Sequence, residues 1–280
     1  MPFTLLFALL GILVGVLINR AADNLPPPAR RSLLVTPRCP YCDTPRSAIE
    51  QSGILSFILF RNKCHNCGAP IPLRAPLVEL ASGILFLFLA ARDSLSPYLF
   101  VILFFTAVLL LILVIDIEHK LILNVVVLPA TVLAFLASPI LFSNSASSPN
   151  ELNFDGVLLA MIGAAVGYAI TLAIYFCGIL FLRIVNRRRR AKINTVAFGM
   201  GDVKLVGLLN ALLGFPAIFY ALFYAILFGG VGALTAILLR FVQRRGYSAF
   251  MAIPYGPYLI ISGWIFLVWH SEILAILLSG

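Results

Sequence analysis

Residues 97–120 read PYLFVILFFTAVLLLILVIDIEHK. The run from 97 to 115 carries no charge, is rich in Leu, Ile, Val and Phe, and ends abruptly in Asp116, Glu118, His119 and Lys120. About 20 apolar residues suffice for a helix to cross a bilayer, and the charged end marks the return to water. Charge-poor runs of the same kind occur at 3–18, 76–91, 121–142, 156–182, 203–215, 217–241 and 256–278. Their length and their separation by Pro, Gly or charged residues read as membrane helices rather than strands. Composition agrees: 61% of the 280 residues are hydrophobic, 11% are charged, and the mean hydropathy is +1.05. Soluble domains hold about 45–50% apolar and about 25% charged residues, so a soluble enzyme, a disordered chain and a collagen-like repeat are all excluded. The expected fold is an all-α polytopic membrane protein of about eight transmembrane helices, with a cysteine-bearing cytoplasmic segment between helices 1 and 2. One join is open to a second reading. The short run 203–215 meets 217–241 at Gly214-Phe215-Pro216, a turn signal; a single bent helix there would give seven spans.

The formal charge of +9 would suggest nucleic acid in a soluble protein. In a membrane chain the question becomes which side the basic residues occupy. Met1-Pro2-Phe3-Thr4 precedes the first run without a basic residue, and its charges follow from Arg20, the reverse of a secretory signal. The first helix is therefore expected to be retained, with its N-terminus outside. With eight spans, 19 of the 20 Lys and Arg residues fall in 19–75, 116–120, 183–204 and 240–255, on one side; only Arg92 falls on the other. The opposite loop 143–155 has no Lys or Arg. This skew makes the basic side cytoplasmic. The positive charge then labels topology in a cytoplasmic (inner) membrane and meets lipid headgroups, and no nucleic-acid partner is expected.

Four of the five cysteines form Cys39-Pro-Tyr-Cys42 and Cys64-His-Asn-Cys67, with 21 residues between the pairs. Two such knuckles read as a tetrahedral Zn2+ site, because each bends two thiolates toward one ion. A reducing cytoplasm argues against two structural disulfides. Pro40 and Gly68 suit tight turns. A redox-active or metal-free set of thiols is the alternative. Four protein ligands leave no open position, so the metal would be structural. His65 reads as a surface residue, and Cys177, inside an apolar run, as a buried small hydrophobe.

With only 11 acidic residues, each one beside a span counts. Asp116 follows the third run and Asp202 opens the sixth, in FGMGDVKL; two crossings separate them, so both are expected on the cytoplasmic side. A pair of carboxylates sharing one proton can activate a water while polarising a carbonyl. Gly199 and Gly201 would let the backbone turn and another segment approach closely. The competing reading makes both aspartates helix-end caps. Glu118 competes with Asp116 as the active carboxylate, and generic reasoning does not decide between them. Glu79, early in the second run, is an ionisable group within a span that could pair with Arg74 or join a polar site. Lys204 reads as a snorkelling anchor. The basic run 187–190 reads as a headgroup-facing patch, and His119 and His270 form no constellation.

Taken together these blocks resemble the type IV prepilin peptidase family, the bifunctional leader peptidases and N-methyltransferases of pilus and type II secretion systems. The resemblance covers nearly the whole chain: GVLINRAADNLP (15–26), the two knuckles, RAPLVELASG (74–83), IDIEHKLILNVVVLP (115–129), FGMGDVKLVGLLNALLG (198–214) and IPYGPYL (253–259). It implies that Asp116 and Asp202 are the aspartyl protease pair, which favours Asp116 over Glu118. Cys39, Cys42, Cys64 and Cys67 match the family's zinc-type site. It also implies prepilin or pseudopilin substrates, cut between a basic leader and an apolar helix, and methylation of the new N-terminus from S-adenosylmethionine. Residues 1–95 would be the methyltransferase-associated part and 96–280 the peptidase. Asn24 stands where the family often has Arg, and Leu123-Asn124 replaces its Pro-Asp. A transporter with a zinc module, its acids relaying protons or binding an ion, is the alternative in another class. An inactive scaffold holding secretion partners is a third. Acids at helix ends and the lack of an internal repeat weigh against the transporter.

Overall fold

The computed structural model describes residues 2–27, 35–39, 41–61, 63–142, 154–187, 199–242, 255–269 and 272–273. Among them lie ten helices: α1 (Pro2–Asn24), α2 (Ala48–Gln51), α3 (Gly53–Phe60), α4 (Arg74–Arg92), α5 (Pro97–His119), α6 (Asn124–Leu141), α7 (Phe154–Arg187), α8 (Met200–Leu213), α9 (Ala217–Val242) and α10 (Gly256–Val268). β-structure among these residues is limited to two isolated bridges. Every one of the eight apolar runs contains a helix. Six of those helices are long and apolar enough to cross a membrane, namely α1, α4, α5, α6, α7 and α9. The other two, α8 and the described part of α10, have 14 and 13 residues. At 1.5 Å per residue these reach only about 20 Å, short of a hydrocarbon core of about 30 Å. The single bent helix over 203–241 is not formed. The chain breaks between α8 and α9 at Gly214, whose φ of +63° favours glycine. Most of loop 143–155, residues 188–190, Pro40, Pro254 and His270 lie outside the described residues.

The chain divides into two compact units, 1–121 and 122–280. In the first, α1 and α4 pack antiparallel, as three successive contacts show. An ideal Cβ on Gly11 would lie 2.6 Å from the Ser82 carbonyl oxygen, and one on Gly15 would lie 2.6 Å from Glu79 Cα. Further along, Asn19 Nδ2 donates to the Ala75 carbonyl at 2.9 Å. Ser82 Oγ returns a bond to the Gly11 carbonyl at 2.6 Å. Small residues four apart let two membrane helices approach to backbone contact, where dispersion and buried hydrogen bonds hold them. The segment between α1 and α4 carries the cysteine knuckles together with α2 and α3, both of which lie outside the eight apolar runs. Their starts follow local rules: Ser47 and Glu50 form a reciprocal capping box, and Ser52 Oγ accepts from Leu55 N–H.

In the second unit α8 is the core. Val203, Leu205, Val206, Leu208, Leu209, Ala211, Leu212 and Leu213 are all buried, against α6, α7, α9 and α10. A helix with apolar residues on most of its circumference needs such enclosure. Glycines admit it: Gly163 lies on the Gly214–Phe215 backbone, Gly167 on the Asn210 amide, and Gly263 on Leu209.

Gly15→Val should push α1 off α4, because the added side chain meets Glu79 backbone rather than a movable tip. We expect about 1–3 kcal/mol of destabilisation, read as a lowered Tm of detergent-solubilised protein; Gly230→Ala, where an added Cβ meets nothing within 4 Å, is the control.

Candidate functional site

The two knuckles share one design. Cys39 N–H donates to the Thr44 carbonyl at 3.0 Å and Asp43 N–H to the Cys39 carbonyl at 2.9 Å. In the second, Cys64 N–H donates to Ala69 at 2.8 Å and Gly68 N–H to Cys64 at 2.9 Å. Each turn closes through a residue of positive φ, Asp43 at +52° and Gly68 at +70°. Residue types tolerant of the left-handed region, Asp and Gly, occupy the same place in both. The four Sγ atoms lie within 4.8 Å of one another, with Cys39 to Cys67 at 3.7 Å and Cys42 to Cys64 at 3.9 Å. Those separations are far beyond an S–S bond of about 2.05 Å. Tetrahedral Zn–S bonds of about 2.3 Å would set sulfurs about 3.8 Å apart. The donor set therefore fits a tetrahedral, thiolate-bound metal ion.

Electrostatics point the same way. The Thr44 hydroxyl and amide hold the Cys42 thiol down at about 6. The amides of Cys67 and Asn66 hold Cys64 below the usual thiol range. Against the Ala69 amide, burial and the three neighbouring thiols push Cys67 up to about 12. Four sulfurs this close cannot all be thiolates unless a cation lies among them. The pair is braced by Glu50, a buried carboxylate that accepts from His65 N–H at 2.7 Å and Ser47 N–H at 2.9 Å. Burial opposes its ionisation, yet these amides hold it below the usual carboxylate range. His65 itself is exposed.

Glu79 does not pair with Arg74. Its side chain has no exposed surface and turns toward the start of α3. It accepts from Gly53 N–H at 2.5 Å, Ile54 N–H at 3.0 Å and Ser52 Oγ at 2.9 Å. A helix N-terminus offers free amides and a partial positive charge, which is how a carboxylate can stay buried in a span. Arg74 is engaged instead by Asp23 and Glu118, and Asp23 also faces Arg46 at 3.7 Å. The arginine ties the ends of α1, α4 and α5 together. Glu118, the rival to Asp116, is thus held in an ion pair.

Asp116 lies in the last turns of α5, in the first unit, and is 5% exposed. Asp202 lies in the first turn of α8, in the second unit. Its carboxylate accepts from Gly199 N–H at 2.8 Å, so it does cap its helix. Gly199 has extended backbone at φ −88° and makes no special turn. Gly201 is there for close approach: a Cβ would lie 3.1 Å from that of Ile122. Lys204 is no simple lipid anchor, since its Nζ donates to Asn124 Oδ1 at 2.8 Å. The 122–124 stretch, where the sequence departs from Pro-Asp, is therefore in direct contact with the G-x-G-D helix. Cys177 is exposed among the described residues, on a helix whose apolar outer face suits lipid. The long-range partners Asp23, Glu50 and Asn124 escape local pattern reading; only the Ser-x-x-Glu of residues 47–50 carries a sequence signal, a capping box.

Residues 9–92 match the bacterial peptidase A24 N-terminal domain, and residues 103–234 match the type IV leader peptidase family. Over 295 residues the chain is 30% identical to the prepilin leader peptidase/N-methyltransferase of Pseudomonas aeruginosa, covering 98% of this chain and 92% of that protein. Identity to the protein of the same name from Dichelobacter nodosus is 33% over 251 residues, covering 88% and 76%. For that of Stutzerimonas stutzeri it is 29% over 297 residues, covering 98% and 93%. No solved structure matches the chain. Related along almost its whole length to these enzymes, and matching both family models in order, the chain belongs to the type IV leader peptidase family.

Proposed function

We propose that this chain is a membrane aspartyl endopeptidase that removes the basic leader of a type IV prepilin or pseudopilin and then N-methylates the new N-terminal residue. The observation that carries this reading is 30% identity across 98% of the chain to an enzyme named for both activities. It speaks against the transporter reading. The setting is a bacterial inner membrane, with the N-terminus outside, eight spans, and Asp116 and Asp202 at the cytoplasmic face, where a leader meets its apolar helix. The bilayer holds the substrate helix as well as the enzyme. Both sides of that encounter are basic, so packing of the substrate helix rather than long-range attraction governs recognition.

In this reading Asp116 and Asp202 share one proton. The ionised carboxylate takes a proton from water as its oxygen attacks the scissile carbonyl, while the neutral one gives its proton to the carbonyl oxygen. Collapse of the tetrahedral species breaks the C–N bond, and the departing amine takes a proton back from the pair. Gly199 holds the Asp202 carboxylate through its amide, Gly201 keeps the start of α8 slim against Ile122, and Lys204 steadies it through Asn124. Residues 1–95 belong to the second activity, for which S-adenosylmethionine supplies the methyl group. Cys39, Cys42, Cys64 and Cys67 hold a structural Zn2+, and Glu79 supports that segment rather than the proton transfer.

Asp116→Asn and Asp202→Asn should each abolish cleavage of a prepilin, with zinc content and Tm unchanged. Glu118→Gln should retain cleavage; full cleavage by either asparagine variant refutes the pair. Metal analysis should return about one zinc per chain. Acid should release it, because the thiolates must be reprotonated for the ion to leave. Protein that binds well under one equivalent counts against the site. Labelled methyl should pass from S-adenosylmethionine to the cleaved product, and cleavage without transfer would restrict the chain to proteolysis.

A further inference from the structure

We infer that α3, between the two cysteine knuckles, is a membrane-interfacial helix whose outer face lies in lipid, so that the knuckles are held on the bilayer surface. The sequence is GILSFILF, with no charge over residues 53–60. Leu55, Phe57, Ile58 and Leu59 are 46%, 52%, 68% and 59% exposed. That matches the outer faces of the adjacent spans, where Leu13 of α1 is 64% and Leu77 of α4 63% exposed. On those helices such exposure means lipid, because a spanning helix has no water to face. The buried side of α3 is made of small residues, Gly53 and Ser56.

Depth follows from what holds the helix. Gly53 lies directly against the Ala75–Pro76 backbone, with no room for a Cβ. The Gly53 and Ile54 amides bond to Glu79, more than one turn inside α4. Since α4 is a span, the start of α3 is pinned at its membrane edge. The helix is followed by Arg61 and Lys63, both exposed, the arrangement by which basic side chains reach headgroups from an apolar helix. An apolar face with a basic flank at this level fits the interfacial zone of an anionic bilayer.

Added tryptophans test this in the full chain, reconstituted in vesicles of phosphatidylethanolamine and phosphatidylglycerol with or without brominated acyl chains. In a Trp264→Phe/Trp269→Phe background, Phe57→Trp and Ile58→Trp report on the face. Tyr41→Trp, at a knuckle residue that is 72% exposed, is the control. Brominated lipid should quench the tryptophans at 57 and 58 about threefold or more over that at 41. Quenching no greater than at 41 overturns the inference. So does fluorescence at 58 that is insensitive to bromolipid but altered by an added prepilin, which would give the face to substrate. If the double replacement does not fold, the native tryptophans are kept and the added signal is read as the difference from the parent, with the same outcomes.

Discussion

A carboxyl group cannot stay buried in a bilayer without hydrogen-bond partners. The first unit is built around one that has them. Glu79 is fully buried, yet two amides and a hydroxyl from the start of α3 surround it. Leaving a buried polar group without its hydrogen-bond partner costs about 1–3 kcal/mol. The bond set therefore fixes α3 on α4, and with α3 the segment that joins the two knuckles. On the other side of α4, the Glu79 backbone lies against Gly15 of α1. One residue thus organises contacts to the spans and to the cysteine segment at once.

Arg74 does for the helix ends what Glu79 does inside. Its ion pairs with Asp23 and Glu118 join the termini of three helices. Since Glu118 lies two residues beyond Asp116, the peptidase helix α5 is tied to elements of the N-terminal part. Domain matches at 9–92 and 103–234 follow sequence relationship, whereas compactness divides the chain at 121/122. The two divisions answer different questions. Helix α5 falls with α1 and α4 because it packs on both and its Glu118 pairs with Arg74 of α4.

What could be read from sequence was whatever repeats locally. The eight apolar runs became eight helices, and the spacing of the cysteines foretold four clustered sulfurs. The break at Gly214-Phe215-Pro216 is equally local. What could not be read depends on contacts between distant residues. Nothing near Glu79 announces the amides at 53 and 54, and nothing near Lys204 announces Asn124. Helix α3 escaped for a different reason: eight uncharged, mostly apolar residues are too few for a span and too many for a water-exposed turn.

The matched knuckles limit which amino acids each can bear. At the left-handed position Asp43 and Gly68 occupy equivalent places, and a Cβ at 68 would meet nothing within 4 Å. Space is therefore no barrier there; only backbone conformation is. Asparagine or aspartate at 68 would copy what the first turn already does, while valine or isoleucine would oppose the left-handed backbone before any sulfur moved. Drift among related chains should accordingly run through Gly, Asn and Asp at both positions, leaving the sulfurs where they are.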